Sequence, residues 1–188
     1  MSFGKTFALT TLLMVGTPGL TAAQSPADPA DCTHLPLNIR ADRALVPIIE
    51  QALSQSPTIR RQCQTIAGVA SVRVDVHLRS GRLIAGARAE GRIVRYEFGA
   101  ITAEIFIPVC VDQMEMLAHE FEHVIEQIDG VNLAHRSEVR GSGVSRLSDG
   151  AFETTRAKAA GRAAAQELAE ATSPCPFPCR GSAARRAK

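Results

Sequence analysis

The chain has no tryptophan and one tyrosine, Tyr96, so its interior rests on Leu, Ile, Val, Ala and seven Phe. It also lacks a strong charge of either sign. A formal charge of +2 over 188 residues is too small for a nucleic-acid footprint. Four of the 21 Lys and Arg residues sit in the last nine positions (Arg180, Arg185, Arg186, Lys188), which leaves a mildly acidic body. What is present, 45% hydrophobic and 21% charged residues, describes one ordinary globular domain rather than a disordered or fibrous chain.

The apolar run at residues 7–16, FALTTLLMVG, is too short to span a bilayer, which takes about twenty residues. With Lys5 before it and the small residues TAA at 21–23 before Gln24, residues 1–23 read as a secretory signal. The residue directly after that cleavage site is Gln24 and not cysteine, which argues against a lipoprotein anchor. The expectation is an exported protein, periplasmic or secreted, with no membrane span after signal cleavage. In an oxidising compartment Cys32, Cys63, Cys110, Cys175 and Cys179 are disulfide partners before they are metal thiolates. Five is odd, so one is free or pairs outside the chain. Cys32 with Cys63 would clip the N-terminal segment to the body, and CPFPC near the end closes locally or reaches Cys110.

Residues 24–40 read as a Pro- and Asp-bearing loop. Residues 41–54 carry apolar positions at helical spacing, with Pro47 expected to kink or restart the helix, and TIRRQCQTI forms a second helix after Pro57. The period then changes to two. SVRVDVHL places Val72, Val74, Val76 and Leu78 on one face, opposite Arg73, Asp75 and His77. LIAGARAE, GRIVRYEF and AITAEIFIPV add strand-like runs, predicting a mostly antiparallel sheet of about four strands. Residues 112–128 form the best helix, with Asp112 and Glu115 in a capping-box pattern and Gly130 at its end. A Gly-, Ser- and Arg-rich connection leads to a last, alanine-rich helix over about 151–171, where Gly161 permits close approach to a neighbour. Residues 172–188 form a Cys- and Pro-bearing basic tail. The fold class is α+β, a small domain over 41–171.

LAHEFEH, residues 117–123, carries the chemistry: His119 and His123 lie four apart with Glu120 directly after the first. Leu117, Phe121, Val124, Ile125 and Ile128 cluster on one helix face and the two histidines on the other. That pattern suits a metal-bearing helix beneath a cleft and equally a solvated polar face. Two imidazoles one turn apart can turn a ring nitrogen each to one zinc ion. A neighbouring carboxylate can take a proton from a water that the metal has acidified. At this chain's own His and Glu frequencies a chance HExxH arises in about one chain in a hundred, so the motif is informative. His77 on a polar strand face and His34 in a loop read as surface residues.

On HEFEH and the order sheet, motif helix, second helix, residues 70–171 resemble the zincin superfamily of metallopeptidases. The resemblance implies that His119 and His123 bind Zn2+ and that Glu120 is the general base, acting on a peptide or protein substrate. Metzincins continue as HExxHxxGxxH, but the matching positions here are Glu126 and Asp129, so that branch fits badly, with Asp129 open as a third ligand. Gluzincins take a glutamate from the following helix. Glu153, placed in its first turn, is similar, and otherwise is an acid favouring the helix dipole. The family's orienting Asp four residues later is Ala157 here, so that role falls elsewhere, with Asp149 a candidate. His135 and Tyr96, then Arg136, Arg140 and Arg146, are the candidates to stabilise an oxyanion, and His135 is a further candidate ligand. The resemblance thus implies an exported zinc metallopeptidase of gluzincin-like type. Two rivals stand beside it: a non-catalytic exported envelope protein holding zinc as a structural or stored ion, and a metal-free α+β interaction domain.

Overall fold

The computed structural model describes residues 32–80, 89–109 and 112–172. The expected signal, most of LIAGARAE, Cys110, the CPFPC segment and the basic tail lie outside these residues. The element order is β1 (Ile39–Ala41), α1 (Val46–Gln55), α2 (Pro57–Ala67), β2 (Val72–Arg79), β3 (Glu90–Arg95), β4 (Ile101–Pro108), α3 (Gln113–Ile128), α4 (Leu133–Glu138), β5 (Val144–Arg146), β6 (Phe152–Thr154) and α5 (Thr155–Thr172). This is an α+β fold, as the periodicities predict.

Period-two alternation makes one sheet face apolar. Val72, Val74 and Val76 of β2 and Ile101, Ala103, Ile105 and Ile107 of β4 are buried with Leu117, Phe121 and Val124 of α3. The opposite face carries Arg73, Asp75, His77, Glu104 and Phe106, exposed or half-buried. His77 lies there beside Asp42 (3.3 Å) and stacks on Phe106, and His34 lies beside Glu50, so both are the surface residues their positions suggest.

The sheet has four strands in the order β1-β2-β4-β3, but it is not mostly antiparallel. β1 runs parallel to β2 and β2 parallel to β4; only β3 and β4 pair antiparallel. The cause is connectivity, which alternation does not encode. The crossover through α1 and α2 returns the chain to the starting end of the sheet before β2. The hairpin at Gly99, whose φ of 85° suits glycine, then sets β3 at the edge and β4 next to β2. β1 also falls at the end of the segment expected to be a loop.

Pro47 does not kink α1. It occupies the first turn, where a helical N–H has no intrahelical acceptor. Cys32 and Cys63 are both buried but are free thiols and not the expected disulfide; a hydrogen bond joins the two side chains. Burial and that bond push the Cys63 thiol well above its ordinary pKa. The N-terminal segment is therefore seated on α2 where the expected clip would form.

α5 packs on α3 as its main helical partner, with Ala157, Ala160 and Ala164 buried. At Gly161 a side-chain carbon would come within 2.9 Å of the Glu115 carbonyl oxygen, so the close approach depends on glycine there. Farther along α5, Glu167 caps a different helix. It accepts from the Thr58 N–H (3.0 Å) and from the hydroxyls of Thr58 (2.8 Å) and Ser56 (2.5 Å) at the start of α2. Partial burial disfavours its charge, but these bonds, with Arg61 nearby, hold its pKa below the ordinary carboxylate value.

A folded pKa below the unfolded one stabilises the fold above the ordinary carboxylate value and loses that contribution as the pH falls. Glu167→Gln should cost about 1–2 kcal/mol in urea unfolding at neutral pH, the charged-bond range discounted for a partly exposed group. The difference from wild type should fade once the pH drops below about 4.3. A gap that persists undiminished in acid would contradict the assignment.

Candidate metal centre

Asp112 starts α3 by accepting from the Glu115 N–H (3.1 Å), as the capping pattern predicts, and Gly130 ends it with φ of 72°. The apolar face lies where the helical period puts it. The polar face, however, is not solvated: Glu120, Glu122, His123 and Glu126 are buried too. The sheet, α2 and α5 all pack against α3, so each acidic side chain needs a partner.

Glu122 meets that need structurally. It accepts from Gln62 (2.6 Å), Arg156 (2.6 Å) and Arg61 (3.3 Å), joining α2, α3 and α5. Arg156 also holds Asp129 at 2.6 Å. Asp129 is thereby spent on an ion pair and is not the third member of the site. Arg136 donates to the Ser142 carbonyl, Tyr96 stacks on Phe98, and His135 sits exposed in α4.

His119, His123 and Glu153 come together. One ligand atom from each lies within 4.8 Å of the others, a group able to hold a metal ion. The imidazole centroids are 4.9 Å apart at 77°, and Glu153 Oε1 is 3.5 Å from His119 Nε2. Side-chain exposures of 16%, 10% and 19% for His119, His123 and Glu153 make the group enclosed yet reachable from solvent.

Glu153 does not stand in the first turn of a helix. It is on β6, and α5 begins two residues later at Thr155. The linker expected between the helices instead contains α4 and the β5–β6 hairpin, turned at Gly150 with φ of 89°. Phe152, Thr154 and Thr155 favour extended backbone before the alanine run begins. Thr154 then caps α5, its hydroxyl accepting from the Ala157 N–H (3.0 Å). The other Glu153 oxygen lies 3.7 Å from Lys158 Nζ, and the Thr154 N–H donates to Oε1 (2.8 Å).

The orienting group is Glu126, which sequence reasoning missed, and not Asp149, which accepts from the Ala151 N–H. Glu126 Oε2 lies 2.8 Å from His123 Nδ1, and its Oε1 accepts from the Thr154 hydroxyl at 2.7 Å. With His123 Nδ1 turned to Glu126, Nε2 is the ring nitrogen left to meet an ion. The signal was present in the sequence: His123 and Glu126 are three apart, neighbours on a helix.

Charge follows geometry. Burial pushes Glu120 up to about 7; His123 opposes the rise, while Glu153 and Glu90 add to it. Burial lowers His119 below its ordinary value despite the pull of Glu153. Burial alone would lower His123, but the bond to Glu126 and the charges of Glu120, Glu126 and Glu153 raise it. No protein-family model, curated protein or solved structure matches the chain, so the reading rests on its own residues.

If Glu126 orients His123, Glu126→Ala should weaken affinity for a divalent transition-metal ion by about 10–100-fold. Competition with a chromophoric chelator would measure it. An unchanged dissociation constant in a folded variant would reduce Glu126 to packing.

Proposed function

We propose that this protein is an exported zinc-dependent metallopeptidase of gluzincin-like type. One observation carries the reading: two imidazoles and a carboxylate converge within 4.8 Å, and the buried Glu120 follows the first imidazole on the motif helix. Three protein ligands of this N,N,O kind with a position left open match the donor set of catalytic zinc. His119, His123 and Glu153 would hold a zinc ion, which would supply Lewis acidity toward a carbonyl and lower the pKa of a water.

The chain's own residues do the rest. Glu120, buried beside His119 on the motif helix, is placed to take a proton from a water and return it. Glu126 fixes the His123 ring, and Lys158 balances the charge of Glu153 beside His119. β3 stands at the sheet edge, unpaired on its outer side among the described residues, and offers an extended peptide backbone pairing. Its mostly exposed residues suit a surface that accepts and releases substrate. Export rests on the signal-like residues 1–23. No described helix is long and apolar enough to cross a membrane.

Glu120→Gln keeps size and helix propensity but cannot accept the proton. Folding and zinc content should stay as in wild type, while hydrolysis of a peptide library falls about a hundredfold or more, on the order of 3 kcal/mol of barrier. Full-rate cleavage by the variant would remove Glu120 from the mechanism. Zinc-loaded wild type that cleaves no member of the library would favour a non-catalytic zinc-binding protein.

A further inference from the structure

Gly91 is the second residue of edge strand β3, opposite Ile105 of β4. Its Cα faces the Glu120 carboxyl group: a side-chain carbon built there would overlap Glu120 Oε2 and stand 3.4 Å from its Cδ. Glu120 is only 7% exposed, so the carboxyl group fills the space that the missing side chain leaves under the strand. The strand itself does not require glycine. Gly91 has ordinary extended backbone, and its φ is not in the left-handed range that other residues avoid. A glycine in a strand interior weakens pairing and often marks close approach of another group. Here the approaching group is the carboxyl that adjoins the metal trio. On the same face, Ile93 packs against the core two residues on, and Arg95 ties the strand's end to the Gln127 carbonyl (2.9 Å), so the strand has little freedom to lift away.

We infer that Gly91 is a positioning residue whose absent side chain forms the seat of the Glu120 carboxyl group, holding it beside His119, His123 and Glu153. The inference deepens the metallopeptidase reading and rests on it for its kinetic arm. The displaced group would be the far end of a flexible side chain, so a methyl at this position moves the carboxyl rather than the fold. Metal ligands on α3 and β6 keep their own supports.

The test is Gly91→Ala in the full chain loaded with zinc. Thermal stability and zinc affinity should stay near wild type. In a crystal structure the Glu120 carboxyl group should be displaced by about 1 Å or more, the shift needed to restore ordinary contact distance. Cleavage should fall in kcat by about a hundredfold, with KM changed less than about twofold, because placement of the base and not substrate binding is disturbed. In a Glu120→Asp background, whose shorter side chain vacates the seat, adding Gly91→Ala should cost less than about twofold. An unmoved carboxyl group, an equal cost in both backgrounds, or failure of Gly91→Ala to fold would each overturn the seat. If wild type itself cleaves nothing, the peptidase reading fails, and the crystal structures alone decide the seat.

Discussion

The carboxylate of Glu126 is the joint on which the site depends. One oxygen meets the ring of His123 and the other takes the Thr154 hydroxyl, which in turn caps α5. A single buried charge therefore links the motif helix, the strand that carries Glu153 and the start of the last helix. In a poorly solvating interior such a group is costly when unpaired and strongly ordering when every acceptor is used. Losing it frees the ring, the cap and the strand together.

Close packing by small residues complements this polar joint. Gly161 and the buried alanines bring α5 against α3 beside Glu115 and His119. The same contact delivers Lys158 to Glu153. Glu122, with its arginine and glutamine partners, braces the motif helix from α2 and α5. The helix that bears the histidines is thus fixed on all sides, while the histidines and Glu153 keep some access to solvent. That combination of a rigid frame with a reachable donor group is what a catalytic metal centre requires.

The sequence made the local elements legible because periodicity and caps are local. β2, β4 and α3 lie where alternation, the helical period, Asp112 and Gly130 put them. Strand direction did not follow, since Val72, Val74 and Val76 alternate identically in parallel and antiparallel pairings. The hairpin bearing Glu153 was hidden because its strands are three residues each, too short for a period to register. Glu153 reached the site by a route other than the helix turn that the resemblance implied. Glu126 and Gly91 were missed for a different reason: the first acts through a same-helix neighbour, the second through a side chain it lacks. The role of Gly91 appears only when α3 and β3 are brought together, whereas the spacing of His123 and Glu126 on α3 already pointed to theirs.

The central claim is that His119, His123 and Glu153 hold one zinc ion. Elemental analysis of mature protein purified without an affinity tag tests it most directly, alongside the variant with both His119→Ala and His123→Ala. The account requires about one zinc per wild-type chain and a loss of it in a variant that still folds. Equal zinc in the two proteins, or none in wild type supplied with the metal, would contradict it.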